Sequence, residues 1–208
     1  SVIVSATDSY DTVSAPVVVT VLDARDSDHD GIPDFTDDDD DNDGIPDSID
    51  RIFGSPERVT TNLASFGILV NGTNNLNQSF GGELPVAFTS NNETIATFVF
   101  NFSEALLDIF LLNISSENDS NGNMVVTHLN LSSTKTVFVA DTNSSTTAVC
   151  VQDVENPSLE SMSASCNGMQ EYLVVCNGTN SSSYSCIDLG TTLQISGLTH
   201  SAVIQKCV

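Results

Sequence analysis

Apolar residues recur along most of this chain at every second position, in short runs separated by polar turns, which is the periodicity of β-strands. SVIVSAT alternates from Val2 to Thr7, the turn falls at Asp8-Ser9-Tyr10-Asp11, and APVVVTVLD predicts a second strand from Ala15 to Asp23. That second strand is apolar on both sides, with Val17, Val19 and Val21 on one and Val18 and Leu22 on the other, as befits a strand inside a sheet. From residue 57 onward the pattern predicts strands at Arg58 to Asn62, Gly67 to Asn71, Leu84 to Thr89, Thr94 to Asn101, Leu106 to Asn113 and Met124 to Leu131. It continues with Thr136 to Ala140, Thr146 to Val151, Tyr172 to Cys176, Tyr184 to Asp188, Thr191 to Ser196 and Ala202 to Cys207. NGTNN at 71–75, GGE at 81–83, SNNE at 90–93, NDSNGN at 118–123, DTNSS at 141–145 and NGTNSSS at 177–183 supply the turns. Many short strands with frequent turns predict an all-β sandwich, immunoglobulin-like or jelly-roll-like.

Two strands are predicted to line the core. ATFVFNF places Phe98, Phe100 and Phe102 on one face. LLDIFLLNI places Leu107, Ile109 and Leu111 on one side and Leu106, Phe110 and Leu112 on the other, with a short helical turn as the alternative.

The β-pattern fails between residues 24 and 51. DSDHDGIPDFTDDDDDNDGIPDSID, residues 26–50, writes one acidic pattern twice with a 13-residue offset. Read as 12-residue loops, both copies carry Asp at positions 1, 3, 5, 9 and 12 and Gly at position 6. Calcium wants six to eight oxygens in loose geometry, and alternate carboxylates surround one centre when Gly31 and Gly44 let the chain turn sharply. The candidate ligands are Asp26, Asp28, Asp30, Asp34 and Asp37 with the carbonyl of Ile32, and Asp39, Asp41, Asp43, Asp47 and Asp50 with the carbonyl of Ile45. Asp38 and Asp40 are shared or solvated extras, giving two or more ions. Magnesium fits this all-protein cage less well, and zinc or copper worse, His29 being the lone imidazole of the stretch.

Pro33 and Pro46 at position 8, and a spacing of one residue between loops, leave no room for the flanking helices of an EF-hand. The stretch resembles the thrombospondin type 3 repeat, a helix-free calcium-binding module of tandem DxDxDGxxDxxD units. That resemblance covers about 25 of the 208 residues and implies a compact, calcium-wrapped segment. Without metal, thirteen aspartates in residues 23–50 beside Arg25 predict a self-repelling linker; calcium converts linker into spacer. The expected organisation is a hairpin over 1–23, a calcium segment over 24–51 and a β-domain over 57–208, with sub-domains 57–145 and 146–208 as an option.

Charge narrows the partners. A formal net charge of -23 opposes binding to nucleic acid or anionic membrane, and no apolar run approaches the ~20 residues of a transmembrane helix. Ser1 in place of an initiator Met or signal sequence suggests a processed or excised segment. Ten N-x-S/T sequons, at Asn71, Asn77, Asn92, Asn101, Asn113, Asn118, Asn130, Asn143, Asn177 and Asn180, exceed the roughly four expected by chance and predict N-linked glycans. The five cysteines all fall in residues 150–207 without C-x-x-C spacing, which fits disulfides of an oxidising, extracellular compartment. Four of them allow three pairings; Cys150 with Cys166 and Cys176 with Cys186 is preferred, leaving Cys207 free, intermolecular, or in exchange with another thiol.

Two further resemblances follow from wording. VSATD at 4–8 and VVVTVLD at 17–23 resemble the last two strands of cadherin-like and related immunoglobulin-like domains, the rest of which this chain lacks. CVQD, SASCNG, VVCNGT, CIDLGT and GLTHSAV, spanning roughly 149–204, resemble a β-domain of archaeal secreted and cell-surface proteins that carries no known catalytic residues.

Catalytic patterns are weak. His128 and His200 lack a paired nucleophile motif, no G-x-S-x-G, H-E-x-x-H or phosphate loop occurs, and Glu104 with Asp108 or Asp153 with Glu155 read as exposed loop acids before glycosidase pairs. A non-enzymatic structural role is therefore expected. An isolated hairpin is marginal in water. It needs an upstream domain, its own β-domain, or a second copy that accepts it by strand donation. Head-to-tail donation makes a heterologous contact that does not close, hence a filament of copies of this chain. The alternative function is an adhesin-like or carbohydrate-binding module of a larger surface protein.

Overall fold

The computed structural model describes residues 2–7, 12–17, 25–117, 122–142, 148–181 and 183–206, and gives the backbone alone at 2–7, 12–17 and 179–181. Asn118, Asn143, Cys207, the side chain of Asn180 and the Val18 to Asp23 part of the predicted second strand lie outside that description.

Strands β1 (Val2–Thr7) and β2 (Thr12–Val17) form an antiparallel hairpin in register Val2 to Val17. The second strand thus begins three residues earlier than its apolar run, because Thr12 pairs with Thr7 in the hairpin register. After the acidic segment come β3 (Ile52–Phe53), β4 (Thr60–Thr61), β5 (Gly67–Val70), β6 (Glu83–Ser90) and β7 (Glu93–Asn101). Then follow β8 (Leu107–Asp108), β9 (Asn113–Ser115), β10 (Asn123–Thr127), β11 (Lys135–Ala140) and β12 (Ala148–Gln152). The chain ends with β13 (Glu171–Val175), β14 (Asn177–Ser181), β15 (Tyr184–Asp188), β16 (Thr192–Leu198) and β17 (Ser201–Lys206).

Two large sheets make the domain an all-β sandwich. One is six-stranded, in the order β13-β12-β17-β10-β9-β4; the other is seven-stranded, in the order β14-β15-β16-β11-β7-β6-β5. Both mix strands from before and after residue 146, and one apolar core joins them. Phe88, Phe98, Val137 and Ile195 of the seven-stranded sheet pack in the same cluster as Met124, Val126, Val149 and Val203 of the six-stranded one. The small parallel pair β3-β8 ties the end of the acidic segment to this body.

Strict alternation explains the best-defined strands. In β7, Phe98 and Phe100 are buried while Val99 between them is 51% exposed, and Phe102 continues the inward face. Phe88 packs edge-on against Phe98 with ring centroids 5.3 Å apart, a geometry that adds about 1 kcal/mol to the burial itself.

Departures from the predicted strands have local causes. Leu106 to Asn113 is not one strand: Leu107, Ile109 and Leu112 point inward while Leu106 and Leu111 face solvent. A side chain turns the backbone there, since the Phe110 N–H donates to the Asp108 carboxylate at 2.9 Å and the Leu112 N–H to the Ile109 carbonyl at 3.1 Å. Arg58 to Asn62 is reduced to β4 because Pro56 starts a 3-10 turn, closed by Arg58 N–H on the Ser55 carbonyl. Met124 to Leu131 stops at Thr127, where His128 adopts a positive φ of 60°. The predicted NGTNSSS turn at 177–183 instead holds β14, paired with β15 beside the Cys176–Cys186 bond.

Candidate metal centre

Each acidic repeat folds around its own carboxylates. In the first, Asp26 accepts the N–H groups of His29 and Gly31, Asp28 accepts that of Asp30, and Asp30 accepts that of Ile32, at 2.8 to 3.2 Å. Thirteen residues later Asp39 accepts Asp43 and Gly44, Asp41 accepts Asp43, and Asp43 accepts Ile45, at 2.8 to 3.3 Å. The backbone takes left-handed conformations at matched places, His29 and Asn42 at φ 67° and 58°, Gly31 and Gly44 at 97° and 92°. Such local turns are what Asp, Asn and Gly permit at least cost.

These turns bring together the carboxylates of positions 1, 3 and 5. Oxygens of Asp26, Asp28 and Asp30, and separately of Asp39, Asp41 and Asp43, lie within 4.8 Å of one another. Positions 9 and 12 hold backbone. Asp34 accepts both the N–H and the hydroxyl of Ser27 at 2.8 Å, and Asp47 accepts the N–H of Asp40 at 3.0 Å. Asp37 accepts the N–H of Asp39, and Asp50 that of Ile52. A third group, Cys150, Cys166 and Glu171, offers no thiolate, because its sulfurs are joined in a disulfide.

The electrostatics leave negative charge uncompensated. Burial, then Asp47, Asp34 and Asp37, push Asp40 up to about 6. Burial also pushes Asp50 up to about 6, reinforced by Asp43 and Asp41 and opposed by the Ile52 N–H. Asp41 and Asp43 are raised chiefly by burial, whereas Asp28 is lowered, first by the Asp30 N–H. Among the described residues, one buried oxygen each of Asp28 and Asp40 has no hydrogen-bond partner. A hard divalent cation fits this donor set, since it supplies the missing partner for those oxygens and the missing counter-charge.

The segment is built onto the sandwich. The Gly54 N–H donates to Asp41 at 2.5 Å, from a φ of 100° and against Phe110, whose backbone leaves no room for a Cβ. Arg58 donates to the carbonyls of Ser27 and Asp28 at 3.0 and 3.3 Å. Asn77 donates to the carbonyl of Asp43, and Ser79 to that of Ile49. Arg25 reaches Asp34 at 3.4 Å and lies over the rings of Phe53 and Phe110, 5.1 and 5.3 Å from their centroids. Gly54, Arg58 and Ser79 escape sequence reading because no periodic pattern marks contacts between residues so far apart in the chain.

The remaining candidate residues scatter over the domain. Asn71, Asn77, Asn92, Asn130 and Asn177 are exposed, and Asn101 and Asn113 half-buried. Both expected disulfides, Cys150–Cys166 and Cys176–Cys186, are formed. Asp153 is absorbed in structure, accepting from the backbone of Thr199 and His200 and from the Tyr184 hydroxyl. Glu104, Asp108, Glu155 and His128 stand at the surface.

Compared with family models, curated proteins and solved structures, the chain gives no match. Among the described residues, no helix is long and apolar enough to cross a membrane.

Proposed function

We propose that this chain is an extracellular, N-glycosylated structural protein, a calcium-stiffened subunit of a surface filament assembled by β-strand donation. The observation that carries the reading is the isolation of β1-β2: among the described strands it pairs with itself alone. Two strands bury too little to be stable in water, so the hairpin calls for a sheet edge. The β13 edge of the six-stranded sheet suits it. Its Tyr172, Leu173 and Val175 are 40–44% exposed, and it carries neither Lys nor Pro to discourage pairing. The hairpin of a second copy adding there makes a heterologous contact that propagates.

Calcium in the two aspartate triads then fixes the segment between hairpin and sandwich, and the disulfides suit an oxidising exterior. Electron microscopy of the purified chain with calcium and with chelator tests the reading. Filaments that are lost on deleting residues 1–17, or on Leu173→Lys, support it; monomers under every condition overturn it. A second reading, a carbohydrate-binding module, draws on a groove of about 760 Å³ lined by Leu106, Asp108, Leu111, His128, Glu155 and His200. Binding on a glycan array that is abolished by His128→Ala favours that alternative.

A further inference from the structure

The amide of Gln205 sits in surroundings that exceed what a buried amide needs. Gln205 is 1% exposed on β17, in the six-stranded sheet, while Asp141 and Thr142 follow β11 of the other sheet. Its carbonyl oxygen Oε1 accepts three hydrogen bonds, from the N–H of Gly122 at 3.1 Å, the N–H of Thr142 at 3.2 Å and the hydroxyl of Thr142 at 2.6 Å. An amide oxygen has two lone pairs, so three donors converge where two suffice. Its nitrogen Nε2 donates to the Asp141 carboxylate at 2.5 Å, which fixes the orientation of the amide because a carboxylate accepts. Gly122 is required at its place: a Cβ there would meet the Ala140 carbonyl oxygen at 1.8 Å. The Gly122 N–H also donates to Thr142 Oγ1 at 3.2 Å, so one backbone amide touches both the hydroxyl and the carbonyl oxygen.

We propose that Thr142 and Gln205 join in an intramolecular ester that cross-links the two sheets. A carbonyl is about 1.2 Å long, so Thr142 Oγ1 lies within about 3.8 Å of the Gln205 carbonyl carbon Cδ, close to attack distance. Oγ1 attacks Cδ, the C–O bond forms, and the negative charge developing on Oε1 falls on the two backbone N–H groups. The hydroxyl proton passes to Nε2 through Asp141, which already contacts that nitrogen. The C–N bond breaks and ammonia leaves, with no oxidant, reductant or cofactor consumed. Thr142 itself is exposed, which gives the ammonia a way out. The product is a covalent tie between the two sheets near the end of β17.

Intact-mass measurement of the full chain, made in a bacterial host without N-glycosylation, decides the matter. The expected result is a mass about 17 Da below that of the disulfide-bonded sequence, the loss of one ammonia. Digestion should then yield a peptide containing Thr142 joined to one containing Gln205, which hydroxylamine separates. Thr142→Val and Gln205→Glu should each show the full mass of their own sequence. A wild-type chain at full mass, or one about 1 Da heavier because water has hydrolysed the Gln205 amide to a free acid, overturns the proposal.

Discussion

The acidic segment and the sandwich are stable for opposite reasons. In the sandwich Phe88, Phe102, Ile114 and Leu193 are fully buried, and apolar burial sustains the fold with water as the only solvent component required. In residues 25–50 Asp41 and Asp50 are buried beside Ser27 and Ile45, and the clustered carboxylates carry surplus negative charge. The two repeats sharpen the contrast, because their sequences match while their settings differ. Ile45 of the second repeat is 6% exposed, against 45% for Ile32 in the first, and Asp41 and Asp50 are likewise buried. The second repeat rests on Gly54 and β3, whereas the first meets the domain mainly through Arg25 and Arg58. A shared motif thus sets the local turns, and the tertiary setting decides how firmly each copy is held.

If the acidic segment holds calcium as proposed, removing it should produce the largest difference between the two regions. With calcium at about a hundred times Kd, each site adds about 2.7 kcal/mol, hence roughly 5 kcal/mol for two. Hydrogen exchange in chelator should show protection lost over residues 25–50, first in the first repeat, with the sandwich strands retained. Uniform loss across the sandwich as well would mean that the two regions share one source of stability. Phe88→Ala tests it from the other side. Deleting a fully buried phenylalanine should cost the sandwich about 4 kcal/mol while leaving calcium affinity of the acidic segment unchanged. Denaturant melts and calcium titrations of the same variant check both halves of that statement.

The pH responses should have opposite signs. Asp40 and Asp50, raised to about 6, stay protonated longer in the folded state than in the unfolded chain. Their contribution is full below the ordinary carboxylate value and is lost as pH rises through 6, so the metal-free segment should be tighter at pH 5 than at pH 7. Lys135 behaves the other way. It is 1% exposed, its ammonium donates to the Thr199 carbonyl at 2.7 Å, and burial lowers it to about 8 despite Asp153. The unfolded chain therefore binds the extra proton between pH 8 and about 10.5, and stability rises with pH across that window, by about 3 kcal/mol if fully expressed. Tyr184, which burial and Asp153 push up to about 12, opposes this above pH 10. Melting temperatures from pH 7 to 10 should rise for the native chain and stay flat for Lys135→Met; parallel curves would refute the assignment to Lys135.

Much of this arrangement is legible in the sequence, for physical reasons that also explain the gaps. Alternation announces β6, β7 and β11 because each has one face in the core, and the 13-residue repeat announces both aspartate triads because their turns are made by residues close in the chain. Leu106 to Asn113 misleads because apolar content alone does not reveal that Asp108 turns the backbone. Asp34 and Asp47, which spacing marks as candidate ligands, also hold Ser27 and Asp40, contacts that spacing alone does not reveal. Least legible is the seam between the two regions, where Arg25, Gly54 and Arg58 meet partners distant in sequence.

That seam supplies the smallest and most discriminating effect. Arg25 forms an ion pair with Asp34 at 3.4 Å and stacks over Phe53 and Phe110, joining the first repeat to the aromatic end of β3. Its side chain is 47% exposed, so the ion pair is screened and the cation–π contacts carry most of the effect. Arg25→Ala should cost about 1 kcal/mol. The loss should appear as faster exchange at Ser27 and Asp34 and weaker calcium binding in the first repeat, with the second repeat and the sandwich unchanged. Arg25→Lys should recover little, because an ammonium lacks the planar face that lies across both rings. Equal weakening of the two repeats would instead mean that they fold as one unit around their metals, with the sandwich serving as a passive support.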